Sequence, residues 1–218
     1  VLSRILTLSE KDDSAVFDYY DPFYLRDVDF FELEIENNKS ISYREDIKNL
    51  AATIKKLIER TVGKKCDTTG EAKRLLNTYI DTIPTCGSVW RLRLFVLAQC
   101  SDVFKEEIKE ALFKIFKVGE RYFEIEDGAE YYHLLDKCFN GLNAETEQKE
   151  YINEVLNYFS ADIKDRKMEE IRRHVGLKIL GRIENLSPED RTKAKQKFGD
   201  YPDKNKFEIR PPRRETYA

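Results

Sequence analysis

Between Ser42 and Phe198 the chain repeats one unit, an amphipathic helix followed by a second, about every 40 residues. This period constrains the fold more than any other feature, because a two-helix unit of that length hides its apolar faces only against a neighbour. The pattern predicts an all-α fold, a right-handed helical-repeat solenoid of about four antiparallel helix pairs behind an irregular aromatic and acidic N-terminal segment. Residues 1–41 are then a helix end plus lead-in, 42–198 the repeat domain, and 199–218 an extended tail or linker.

The signals for individual helices are local. Ser42 with Glu45, and Thr68 with Glu71, have the spacing of capping boxes, in which hydroxyl and carboxylate each satisfy an N–H that the first turn leaves unpaired. Ile47, Leu50, Ala51, Ile54 and Ile58 fall on one face of the first helix, and Gly63 offers a left-handed exit. Ala72, Leu75, Leu76, Tyr79 and Ile80 mark the second helix, which must end before Pro84. The second pair begins at Ser88 and is apolar on almost every side through Leu97; Ser101 is placed to cap its partner, which carries Phe104, Ile108, Ala111, Leu112, Ile115 and Phe116.

A third pair has Tyr131, Leu134, Leu135, Cys138 and Phe139, then, after Asn143, Tyr151, Ile152, Val155, Leu156 and Phe159. The fourth has Met168, Ile171, Val175, Ile179, Leu180 and Ile183, and a last helix opened by Ser187-Pro188-Glu189-Asp190. That last helix offers only Ala194 and Phe198 to a core, as an end cap with a polar outer face would.

Ahead of the repeats, Phe17 to Glu36 crowds aromatic residues among acids without a helical period, and Val28 to Ile35 could alternate as a short strand. Its aromatic residues would cover the open side of the first helix pair, or serve as a docking strip for another domain. Charge runs along the chain: Glu10 to Glu36 holds ten acids and two bases, and Lys164 to Lys197 eleven bases and six acids. Such a gradient suits partners of opposite sign at the two ends, contact between the two ends, or head-to-tail association of copies.

Catalytic motifs are missing from the sequence. The two histidines, His133 and His174, leave little for imidazole chemistry; Glu130 and His133 have the ExxH spacing of di-iron bundles, but the required second copy is out of register. No GxSxG elbow or GxxxxGK loop occurs, so any catalysis is expected in another domain of a parent chain, with no cofactor or metal here. Cys66, Cys86, Cys100 and Cys138 show no CxxC spacing and are expected as buried free thiols of a cytoplasmic protein, with a disulfide pair as the lesser reading. No stretch is apolar enough to span a bilayer, and the opening at Val1 suggests a helix cut from a longer polypeptide.

Two neighbouring segments, VWRLRLFVLAQCSDVFKEEIKEALFKIF and EYYHLLDKCFNGLNAETEQKEYINEVLNYF, run parallel in pattern, and Ser42 to Phe198 resembles HEAT or armadillo-type repeats. The aromatic, acidic lead-in followed by Arg44-Glu45-Asp46-Ile47 is similar to helical-repeat arms of large prokaryotic multidomain proteins that carry a signalling nucleotidase or ATPase elsewhere. The resemblance implies sensing or binding of partners, in some cases within antiviral defence, and transfers no functional residue.

The expected function is protein–protein interaction or scaffolding within a larger protein, with other proteins or other domains of the same chain as partners and self-association as a further outcome. The expected surface is Arg166, Lys167, Arg172, Arg173 and Lys178 with the aromatic strip Tyr19, Tyr20, Phe23 and Tyr24. The alternative is a nucleic-acid-binding repeat that tracks phosphates with its basic C-terminal helices.

Overall fold

In a computed structural model, residues 30–32, 43–65, 68–81, 87–118, 129–161 and 166–199 are described. They form eight α-helices and, among the described residues, no strand: α1 (Tyr43–Val62), α2 (Thr69–Tyr79), α3 (Gly87–Leu97), α4 (Lys105–Val118), α5 (Ala129–Cys138), α6 (Glu147–Tyr158), α7 (Arg166–Arg182) and α8 (Pro188–Phe198). Short 3-10 turns, Gly63–Lys65 and Phe139–Gly141, extend α1 and α5.

Each apolar stripe finds a neighbouring helix. The odd-numbered helices pack in succession, α1 on α3, α3 on α5 and α5 on α7, while α4 packs on α6 and α6 on α8. Helices adjacent in sequence also pack, as α1 with α2, α3 with α4 and α7 with α8. Ion pairs step between the even-numbered helices, Lys73 to Glu107 at 3.0 Å and Lys109 to Glu147 at 2.8 Å. Helix α3, apolar on almost every side, is accordingly covered by α1, α4 and α5.

The stripes of α6 and α8 are buried as their periodicity predicts, and Ser187 caps α8 by accepting from the Asp190 N–H at 3.1 Å. Gly199 then leaves the helix at φ 94°, a conformation that favours glycine. Gly176 has a different role. A Cβ there would lie 2.9 Å from Phe198 Cζ and 3.0 Å from Phe159 Cβ, so its lack of a side chain lets α7 approach α6 and α8.

Several local expectations are corrected. The buried face of α1 is Ala51, Ala52, Lys55, Ile58 and Val62, while Leu50 is 54% exposed. The face is rotated because Lys55, counted as a solvent residue by its charge, is held inside by contacts described below. Thr68 precedes α2 without a side-chain cap bond, and Gly63 begins a 3-10 turn in place of a left-handed exit. Ser101 lies in a turn ahead of α4, whose first N–H groups follow Phe104, and Phe30–Glu32 is a turn, not a strand. Ser42, the side chain of Glu45 and the 199–218 tail beyond Gly199 lie outside what is described.

The cysteines also depart from expectation. Cys138 is a buried free thiol, but Cys100 is disulfide-bonded, with its sulfur 3.6 Å from the Val62 carbonyl oxygen at the end of α1. Cys66 and Cys86 lie outside the described residues. Among the described residues no helix is long and apolar enough to cross a membrane.

Candidate protein-interaction site

Helix α3 carries two arginines: Arg93 stays partly exposed beside Asp81, whereas Arg91 is buried in a run that is apolar apart from Ser88, and a charge in such a place requires a partner. The partner is Glu130 on α5. Arg91 Nε donates to Oε2 at 2.8 Å and Nη2 to Oε1 at 2.9 Å, a two-pronged pair with Glu130 fully buried and Arg91 8% exposed. The third donor to this carboxylate comes from outside the helices, because the Phe30 backbone N–H reaches Oε1 at 2.9 Å. Both carboxylate oxygens are thus engaged, which turns the ExxH glutamate into an anchor for Arg91 and Phe30.

Around this pair a short piece of the lead-in is held. The Phe30 ring is buried with the Arg91 guanidinium 5.6 Å from its centre. Phe31 meets Phe95 edge-on at 5.0 Å and His133 at 4.2 Å, and the Lys137 ammonium lies 4.6 Å from its centre. Lys55 completes the grip: its Nζ donates to the Phe31 carbonyl at 3.0 Å while sitting 5.3 Å from the Phe95 ring centre. Two consecutive residues therefore have an N–H, a C=O and both rings taken up by α1, α3 and α5.

The same face continues onto α7 in similar chemistry. Lys178 and Arg182 stand over the Tyr132 ring at 4.5 and 5.0 Å, and Arg182 pairs with Asp136. Burial holds the Asp136 carboxyl above its ordinary pKa, against the opposing pull of Arg182 and His133.

The opposite side of α5 is different. Tyr131 donates to the Leu112 carbonyl at 2.9 Å and meets the Tyr151 hydroxyl at 2.5 Å, inside a cluster where Tyr151 touches Phe113, Phe116 and Phe139 at 5.5 to 5.6 Å. Near its edge, Ser101, Lys105, Cys138, Asn143 and Glu147 help line a cavity of about 330 Å³. Burial raises the Cys138 thiol to about 11, so it is protonated at neutral pH and a poor nucleophile.

The basic residues singled out in the sequence are dispersed where their side chains are described. Arg172 lies 4.9 Å from the Tyr158 ring centre toward α6, Lys178 is buried over Tyr132 of α5, and Arg173 is half-exposed and bonded to Glu169 at 2.6 Å. Arg166 and Lys167 begin α7 with side chains outside the described residues, as Tyr19, Tyr20, Phe23 and Tyr24 are altogether. Phe30 and Phe31 belong to the lead-in aromatics read from the sequence as a cover or docking strip, but sequence reasoning missed Lys55, Arg91 and Lys137; a signal for Arg91 was its charge in a helix apolar on almost every side.

The chain matches no protein-family model, no curated protein and no solved structure.

Proposed function

We propose that the chain is a HEAT- or armadillo-like repeat segment, a right-handed stack of about four helix pairs, that works in protein–protein interaction or scaffolding inside a larger assembly. Support for the stack comes from the succession of neighbour contacts along α1, α3, α5 and α7, with α4, α6 and α8 beside them. The observation that carries the interaction reading is the seat of Phe30 and Phe31, where a helical face grips a non-helical segment by backbone and rings together. In this reading the segment resembles repeat arms that bind partners while catalysis belongs to another domain.

The alternative, nucleic-acid binding through α7 and α8, is disfavoured by the dispersal of the α7 bases Arg172, Lys178 and Arg173 onto Tyr158, Tyr132 and Glu169. Fluorescence anisotropy with a labelled generic duplex decides between them. The interaction reading predicts no binding at low salt; binding that falls steeply as salt rises would overturn it in favour of phosphate tracking.

A further inference from the structure

We propose that the face of α1, α3 and α5 around Lys55, Arg91, Phe95 and Glu130 is a recognition groove for an acidic peptide segment with two adjacent aromatic residues, presented by a partner protein. Phe30 and Phe31 are its resident occupant and must be displaced for the partner to enter. The proposal rests on the interaction reading above and deepens it by naming the chemistry of the partner.

Three observations carry it. First, the grip is of the kind grooves use on peptides: main-chain polar groups supply general affinity and side-chain rings supply selection. Here the Phe30 N–H goes to Glu130, the Phe31 C=O to Lys55, and the rings to Arg91, Phe95 and His133. Second, the groove is built without its occupant. Glu130 lies 100 residues from Phe30, Lys55 lies 24 from Phe31, and the three helices pack on one another directly, α1 on α3 and α3 on α5.

The buried charge is also neutral without the occupant, because Arg91 bonds both oxygens of Glu130 by itself. Emptying the groove thus leaves Glu130 paired; it takes the Phe31 carbonyl from Lys55 and uncovers aromatic surface, and another segment with a carbonyl and a pair of rings can replace both. Third, charge matches. Arg91 and Lys137 stand against the resident rings and Lys55 holds the Phe31 carbonyl, and the resident lies in Asp29-Phe30-Phe31-Glu32, within a segment of ten acids and two bases from Glu10 to Glu36. A partner bearing that combination gains both the rings' fit and long-range attraction.

The test uses the full chain and a fluorescein-labelled synthetic peptide with the sequence of residues 26–36, read by anisotropy. Phe30→Ala/Phe31→Ala empties the groove, and Phe31→Ala alone is the milder version should the double variant lose its helical circular dichroism. Saturable binding to the emptied chain is expected. Affinity for the native chain should be about tenfold or more lower, because its competent state is occupied. The same peptide with both phenylalanines changed to alanine should not bind, and Lys55→Glu in the emptied chain should weaken binding.

Absence of peptide binding to a folded, emptied variant overturns the proposal, and so does binding indifferent to both the peptide's phenylalanines and Lys55→Glu. Either failure, with the duplex still unbound, leaves the interaction reading standing on another surface; salt-steep duplex binding removes that reading itself.

Discussion

Glu130 and Tyr131 are neighbours on α5, yet they enter seams of opposite character. Glu130 faces α3, where a buried ion pair, cations over rings and a captured turn hold the odd-numbered helices together. Tyr131 faces α4 and α6, where phenylalanine and tyrosine rings pack at 5.5 to 5.6 Å around Tyr151. The aromatic seam draws its stability from area and shape, which tolerate small displacements. The polar seam depends on each charge meeting its partner, and it is the one that grips a foreign piece of backbone. In the proposed reading, recognition would sit where buried polar groups must be matched, with the greasy seam beneath it as support.

The comparison is sharpened most by cutting the ion pair. Glu130→Ala would leave Arg91 buried without a carboxylate and is expected to cost about 3–5 kcal/mol in urea denaturation, whereas Arg91→Met with Glu130→Leu should recover most of that loss. A single-variant cost under about 1 kcal/mol would show that the polar seam is not keyed by this pair. Alkali should strike the other seam. Burial raises Cys138 from an ordinary 9.0 to about 11, and it raises Tyr151 further still against the lowering effect of its hydrogen bond with Tyr131.

A folded-state pKa above the unfolded one means that the contribution is whole below about pH 9 and disappears as pH climbs through about 11. The loss at Cys138 amounts to about 2–3 kcal/mol, and the melting temperature should fall across that window. Cys138→Ser should flatten the decline; an unchanged profile would place its origin elsewhere.

Smaller effects test the packing between the last helices and the surface. Gly176→Ala puts a methyl against Phe198 and Phe159 and should cost about 1–3 kcal/mol by thermal denaturation, since both contacts lie at or below 3.0 Å. Arg173→Ala breaks only a half-exposed pair with Glu169 and should change stability by less than about 0.5 kcal/mol. If those two variants were equally harmful, the division between packed seam and solvated face on α7 would fail.

Much of the helical framework was legible because it is local. The eight helices fall on segments read as helical, most by an apolar period, α3 by an almost unbroken apolar run and α8 by its Ser187 start, and the Ser187 cap and Gly199 exit are readable from a few consecutive residues. The polar seam was not legible, for a physical reason. Lys55 reads as a solvent residue until Phe31, 24 positions earlier, supplies a carbonyl, and Arg91 and Glu130 are separated by 39 positions that carry no hint of their pairing.

Leu50 fails in the converse way: its spacing is right, but the inward position belongs to Lys55 and Ala52. Periodicity also gives a basic helix no direction for its charges, so it did not reveal that Arg172 and Lys178 of α7 turn toward different neighbours. The Cys100 disulfide was hidden for the same reason, being set by spatial approach and not by spacing along the chain.

The central claim, that successive helix pairs stabilise one another through shared seams, is tested most directly by ending the chain after residue 161 and following urea denaturation by circular dichroism. Removing α7 and α8 strips the cover supplied by Val175, Ile179 and Leu180 but leaves the Arg91–Glu130 pair and the Tyr151 cluster in place. The account predicts a shortened chain that still unfolds cooperatively, at a lower midpoint, with α1 to α6 helical. A shortened chain with the midpoint of the full chain would contradict it.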